Sequence, residues 1–188
     1  MTGTMSDAVR ITELAAGDGP EVCAAVADIV NSVYAVAEDG MWVSGTMRTS
    51  VSEIDGMIRA GEIVAAWLGD TLVGCIRVVR LDEHTAEFGM LATPPRFRGL
   101  GIGRRLVRFA EQRCAAEGCG VMQLEVIRPR DVELPPKQFL AQWYSAVGYR
   151  PVGTAPVDAA HPELVEMLAV PCEVDRYRKD LCIDEDVR

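Results

Sequence analysis

The stretch "RFRGLGIGRR", Arg96–Arg105, sets three alternating glycines, Gly99, Gly101 and Gly103, among arginines, and a helical pattern opens directly after it. Six arginines and one glutamate lie between Arg96 and Arg113, in a chain of 188 residues whose formal net charge is −9. A helix N-terminus offers unpaired N–H groups and partial positive charge, and glycines let the backbone approach a phosphate closely. A polyanion bound at the turn explains both the glycines and the arginines. A Walker loop would end in Gly-Lys-Ser/Thr, whereas Gly103 is followed by Arg104 and Arg105. A dinucleotide fingerprint would need Gly-x-Gly-x-x-Gly, and the last spacing here is wrong.

The surrounding patterns predict the elements that hold this turn. "VRITEL" alternates and reads as a strand. Val22, Val26, Ile29, Val30 and Val33 predict a helix over "GPEVCAAVADIVNSVYAVAE"; a second covers "SVSEIDGMIRAG", capped by Ser50 or Ser52 and stopped at Gly61. "EIVAAWL" and "TLVGCIRVVRL" flank a Gly69-Asp70 hairpin turn. "TAEFGMLAT" follows as the fourth strand, with Gly89 marking a bulge or close approach and Pro94-Pro95 its end. A helix from Ile102 to about Glu117 turns Ile102, Leu106, Phe109, Ala110 and Cys114 inward and closes at Gly118. "VMQLEVI" reads as a strand, "RPRDVELPP" as a loop and "KQFLAQWYSAV" as a helix stopped by Gly148. "YRPVGTA" and "EVDRYRKDL" are the last strands, with "PELVEMLA" a short helix between them and "IDEDVR" a frayed tail. One domain over residues 9–182 is expected, with flexible ends at 1–8 and 183–188.

The composition is globular, with 49% hydrophobic residues. No apolar run reaches the roughly 18 residues of a membrane span, and the start lacks a secretory pattern, so a cytoplasmic protein is expected. Six scattered cysteines with no Cys-x-x-Cys, and only two histidines, predict core thiols in a reducing compartment, no disulfide framework and no metal site. Net negative charge argues against nucleic acid as partner and is compatible with an amine substrate.

"RGLGIG", Arg98-x-x-Gly101-x-Gly103, resembles the Gln/Arg-x-x-Gly-x-Gly/Ala signature of the GNAT acetyltransferase superfamily. "EFGMLATPPRF" resembles that family's fourth strand and loop, and Tyr144-x-x-x-Gly148-Tyr149 its closing Tyr-x-x-x-Gly-Phe pattern. The order of elements is similar from Arg10 to Leu181. The resemblance implies an α/β (α+β) GNAT fold: a central mixed, mostly antiparallel sheet of six or seven strands, flanked by helices and splayed between strands four and five. It implies acetyl-CoA or another acyl-CoA as co-substrate. The pyrophosphate would lie on amides of Arg98, Gly99, Leu100, Gly101, Gly103 and Arg104, and the pantetheine against Leu91, Ala92 and Thr93. Two departures stand out. Lys137 occupies a position where many members have asparagine, and Trp143 one where an aliphatic residue or phenylalanine is usual.

Acyl transfer from a thioester to an amine requires deprotonation of the amine, stabilisation of the carbonyl oxygen and protonation of the thiolate. Glu87, on the strand bordering the thioester, is the expected base, with ordered water as the alternative. A backbone N–H near Leu91 is the expected oxyanion donor and Tyr144 the expected acid. Tyr34, Glu38 and Trp42, in "YAVAEDGMWVSGTMRTS", are the expected acceptor residues: a carboxylate to attract a cation and rings to flank it. Arg128, Arg130, Asp131 and Glu133 decide nothing about the acceptor. The expected activity is N-acetylation of a small-molecule or peptide amine by direct attack in a ternary complex, possible as a homodimer. A non-catalytic acyl-CoA sensor on the same fold is the alternative.

Overall fold

The computed structural model describes residues 9–181; the two expected flexible ends, with Cys182, lie outside the described residues. In chain order the elements are β1 (Arg10–Glu13), α1 (Pro20–Ala37), α2 (Val51–Arg59), β2 (Ile63–Leu68), β3 (Thr71–Arg80), β4 (Thr85–Ala92), α3 (Ile102–Ala116), β5 (Val121–Pro129), α4 (Pro135–Ala146), β6 (Arg150–Pro156) and β7 (Cys172–Asp180). The strands form one sheet in the order β1-β2-β3-β4-β5-β7-β6. Among the described residues only the β4–β5 pair is parallel.

Strand alternation divides the core between the two faces of the sheet. On one face Ala86, Phe88, Met122, Leu124 and Tyr177 pack against Ile102, Leu106, Val107, Ala110 and Cys114 of α3, and against α4. Val107 takes the fully buried place expected of Phe109, which lies half-buried beside it. On the other face Ala65, Cys75 and Ala92 receive Val26, Ala27 and Val30 of α1 and Ile54 and Ile58 of α2. α1 is apolar enough by length and composition to cross a bilayer, with mean hydropathy 1.3, and its apolar face lies on the sheet. Ser50, not Ser52, caps α2: its hydroxyl accepts from Glu53 N, while the Glu53 carboxylate accepts from Ser50 N. Cys23, Cys75, Cys114, Cys119 and Cys172 are buried and free.

Two boundaries differ from the expected ones. β5 continues through Arg128 to Pro129, because Arg128 pairs across the ladder with Asp175 at 2.6 Å and Glu173 at 2.9 Å. α4 begins at Pro135, since two prolines fit a first helical turn, where a backbone N–H would have no acceptor within the helix in any case. The connection from β6 to β7 is one helical turn, Val157–Ala160, followed by a 3₁₀ segment, Pro162–Met167.

β4 carries the irregularity anticipated at Gly89. Arg77 pairs with Gly89 and Cys75 with Ala92, which leaves Met90 and Leu91 without partners on β3. Met90 takes φ +49°, a strained left-handed value for a side-chain residue. Gly74 sits opposite this bulge: a Cβ there would stand 3.0 Å from Ala92 O, Thr93 Oγ1 and Ile102 Cγ2. Its bare backbone therefore lets the first residue of α3 close onto the sheet. Gly74→Ala should destabilise the protein by about 1–3 kcal/mol, read as a lower urea midpoint at unchanged slope.

Candidate active site

The arginine–glycine turn enters α3 through two left-handed glycines, Gly99 at φ +85° and Gly101 at φ +69°, the latter the N-cap. Arg98 N donates to Pro95 O, and Arg105 N to Gly101 O. Between them, the amides of Gly99, Leu100, Gly101, Ile102, Gly103 and Arg104 have no acceptor among the described residues. Six adjoining donors at the positive end of a 15-residue helix form an anion cradle. Leu100 points outward, 51% exposed, so no side chain covers the cradle from that position. Gly103 brings the first turn of α3 against the Trp143 indole, 3.7 Å from where its Cβ would be.

The arginines divide by task. Arg105 donates to Val9 O, and Arg113 to Gly61 O at 3.1 Å, so both fasten α3 to the sheet. Arg96 lies over the Phe97 ring. Arg98, Arg104 and Arg108 are exposed and without a protein hydrogen bond or ion pair among the described residues. Clefts adjoin the turn on both sides. One, of about 380 Å³, separates Asp28, Ile29 and Ser32 of α1 from Pro94 and Arg96; the other, of about 300 Å³, lies between Arg104, Arg108, Glu111 and Lys179.

β4 and β5 pair only over Thr85–Glu87 and Val121–Gln123 and then part. β4 continues to Ala92 and β5 to Pro129, so the gap between them widens toward the turn. Leu91, in the bulge, borders that gap; Ala92 is buried against Cys75; Thr93 Oγ1 is buried without a partner. Glu87 stands at the last paired position, and its Oε2 accepts from Gln123 Nε2 at 2.7 Å. Burial raises the Glu87 carboxyl above the ordinary carboxylate range, the Gln123 hydrogen bond opposes this, and Glu125 adds to it.

Tyr144 spans the gap from the α4 side. Its ring lies 5.9 Å from Phe88 on β4 and 6.1 Å from Tyr177 on β7, with Tyr149 at 6.2 Å. The residue is 6% exposed, and its hydroxyl has no hydrogen-bond partner among the described residues. Burial pushes the phenol pKa up, reinforced by the phenols of Tyr34 and Tyr177, so the group stays protonated. Tyr34, from α1, packs on the opposite face of the sheet, against the core that includes Cys75 and Ala92.

The model of the acetyltransferase (GNAT) family matches residues 32–133, more than half of the chain. The chain belongs to the GNAT acetyltransferase family. Its fold is similar to an aminoglycoside 6′-N-acetyltransferase solved with coenzyme A, at 18% identity over 92% of this chain and 97% of that one, with a TM-score of 0.70. An acetyltransferase of Streptococcus agalactiae aligns at TM-score 0.66 and 18% identity, covering 93% and 99% of the two chains. The putative acetyltransferase yncA of Salmonella typhimurium, with its cofactor acetyl-CoA, aligns at 0.66 and 14%, covering 93% and 94%. No match was found among curated protein sequences.

On the α1 face of this GNAT domain the expected acceptor residues do come together, but differently engaged. Glu38 is 4% exposed; its Oε1 accepts from Lys137 Nζ at 2.6 Å and its Oε2 from Trp42 Nε1 at 2.7 Å. That carboxylate is therefore not open to an incoming cation, a correction to its expected role. The space between Tyr34 and Trp42 is taken by Arg48, whose guanidinium carbon lies 5.0 and 4.8 Å from the ring centroids. Lys137, the departure from the family's asparagine, thereby ties α4 to the end of α1.

Two groups near Glu87 were not anticipated. Glu125 follows Gln123 on the same face of β5, and its carboxylate is held by Arg176 Nη2 and His161 Nε2, each at 2.6 Å. Burial opposes the charge on His161, but its bonds to Glu125 and Glu163 outweigh that and raise its pKa. Only the rarity of histidine in the chain hinted at this residue. Among the described residues no three His, Cys, Asp or Glu side chains converge as a metal site.

Lys137→Met would leave Glu38 buried with only Trp42 N–H and, at 3.6 Å, Arg48. The expected loss is about 3 kcal/mol, the low end for a broken buried pair. Adding Glu38→Gln to Lys137→Met should recover part of it, measured by denaturant unfolding of the two single variants and the double variant.

Proposed function

We propose that this GNAT domain is an acyl-CoA-dependent N-acyltransferase that moves an acetyl group from acetyl-CoA to a primary amine by direct attack. The observation that carries the reading is the row of six unpaired amides, Gly99 to Arg104, at the head of α3 beside the parted β4 and β5. A pyrophosphate matches such a row in charge and donor number, and Arg98, Arg104 and Arg108 stand free around it for further phosphate. The backbone of Leu91–Thr93, which has no partner on β5, suits an extended pantetheine arm added as a strand. The bulge at Met90–Leu91 suits the Leu91 N–H to the carbonyl oxygen as charge develops there.

The proton inventory is consistent with this chemistry. Glu87, raised by burial and placed where the strands part, takes a proton from the attacking ammonium directly or through water. Tyr144, held neutral by burial, gives its proton to the departing thiolate and regains one from solvent. The acceptor reaches the thioester from the α1 face, past Tyr34. Five buried free thiols suit a reducing cytoplasm.

A thermal-shift series with coenzyme A, acetyl-, propionyl- and succinyl-CoA, beside ATP and NAD, tests the coenzyme site. A ligand that binds only the folded state adds about 2.7 kcal/mol at a hundredfold excess over Kd, so an acyl-CoA should raise the melting temperature and ATP and NAD should not. Glu87→Gln and Tyr144→Phe should each lower kcat about 100-fold or more while keeping that shift. Unchanged turnover in both variants would leave a water base and a different acid in place of this mechanism, whereas an acyl-CoA thermal shift with no turnover on any amine in wild type would leave the sensor reading. A base works only when unprotonated, so wild-type kcat/KM should fall as pH falls through the raised Glu87 pKa. That acid limb should lie above the ordinary glutamate value of about 4.3 and vanish in Glu87→Gln.

A further inference from the structure

Arg48 is held from four directions. Asn31 Oδ1 accepts from Arg48 N at 2.9 Å and from Thr49 N at 3.2 Å, and Asn31 Nδ2 donates to Thr49 O at 2.9 Å, which pins the loop backbone to α1. The rings of Tyr34 and Trp42 lie against the guanidinium, and Nε faces Glu38 Oε2 at 3.6 Å. The two terminal nitrogens, Nη1 and Nη2, have no acceptor among the described residues, and the side chain is 26% exposed, so that edge meets solvent. A planar donor pair fixed by its surroundings and left without a partner is complementary to a carboxylate, which it binds with two parallel hydrogen bonds.

The charges around it exclude the opposite ligand. Glu38 faces two cations, Lys137 and Arg48, so this cluster is net positive. Another carboxylate on the same sheet face, Glu125, is already held by Arg176 and His161. Glu87 is required to release its charge to the reaction, not to a resident cation. The cluster also adjoins the bulged stretch of β4, because Tyr34, which lies against Arg48, packs on the same core as Met90, Cys75 and Ala92.

We propose that Arg48, clamped between Tyr34 and Trp42, selects the acceptor, and that the acceptor is a carboxylate-bearing amine of amino-acid type, not a polyamine or an aminoglycoside. The inference rests on the acyltransferase reading above.

Matched amines test it, with acetyl-CoA as donor and thiol release as readout: methionine against 3-(methylthio)propylamine, phenylalanine against 2-phenylethylamine, lysine against 1,5-diaminopentane, and spermidine and kanamycin as polycations. Wild type should prefer the carboxylated member of a reacting pair by about tenfold or more in kcat/KM, the scale of one charge-assisted contact. Arg48→Gln should bring the two members within about threefold of each other, and Arg48→Glu should reverse their order, a reversal that lost packing alone cannot produce. Both variants should retain the acetyl-CoA thermal shift, which checks their fold. A wild-type preference for polycations or decarboxylated amines, or an unchanged ratio in Arg48→Gln, overturns the assignment. Protection by acetyl-CoA with no carboxylated amine reacting overturns it too, and leaves the coenzyme site standing. No protection by acetyl-CoA would sink the acyltransferase reading, and this inference with it.

Discussion

β4 and β5 share three residue pairs and then separate, and the rest of the site follows from that separation. β5 has its other edge fully occupied, with nine residue pairs to β7, so it cannot follow β4 as β4 bends. Beyond the last pair β4 carries the bulge at Met90–Leu91, where one strand has more residues than its partner can match, a feature that bends a strand. A gap inside a sheet exposes backbone donors and acceptors along one side and opens the hydrophobic core on the other. Aromatic residues answer the second problem: Phe88, Tyr144, Tyr149 and Tyr177 form a tilted and edge-to-face cluster across the opening. The first problem is left unsolved by the protein itself, and an extended ligand paired with β4 as a neighbouring strand, as proposed above, would solve it.

The same economy governs the turn before α3. Its suitability for an anion does not rest chiefly on arginine. The amides and the helix dipole are built into the backbone, and the glycines serve to bring them to the surface without strain. Arg105 and Arg113 lie within the arginine-rich stretch but hold α3 to β1 and to the start of β2, so the local excess of positive charge overstates the charge offered to a ligand. Gly74 belongs to the same arrangement from a distance: without its missing side chain the helix head could not sit at the end of the gap.

How far the sequence disclosed this depends on how local each cause is. The turn, the hairpin at Gly69-Asp70, the α2 cap and the bulge near Gly89 arise from neighbours in the chain, and each stands close to where its residues put it. The extension of β5 was hidden because Arg128 finds Glu173 and Asp175 only when β7 returns beside it. The inward face of α3 is as expected at Ile102, Leu106, Ala110 and Cys114, but Val107 joins it fully buried while Phe109 packs half-buried at its margin, because two apolar residues flank Arg108 and only the sheet decides which goes deeper. The acceptor face was the least legible. Glu38 meets Lys137 across 99 residues of chain, and nothing in either neighbourhood marks the partner.

That long-range pair also explains why an acidic residue near an expected amine site is not evidence of a cation receptor. A buried carboxylate must be neutralised, and the folded chain supplied Lys137 from α4 for the purpose. Once it had, the aromatic slot beside it could accept a second cation only from the loop that crosses it, and Arg48 fills it. The loop is further stitched to the β6–β7 connection, with Val43 N donating to Met167 O and Ala169 N to Met41 O, both at 2.9 Å. A segment tied at Asn31, Glu38, Met41 and Val43 does not reshape itself around an incoming molecule at low cost. On the reading proposed above, the acceptor is chosen by the charge that this rigid segment presents, and at the free edge of Arg48 that charge is positive.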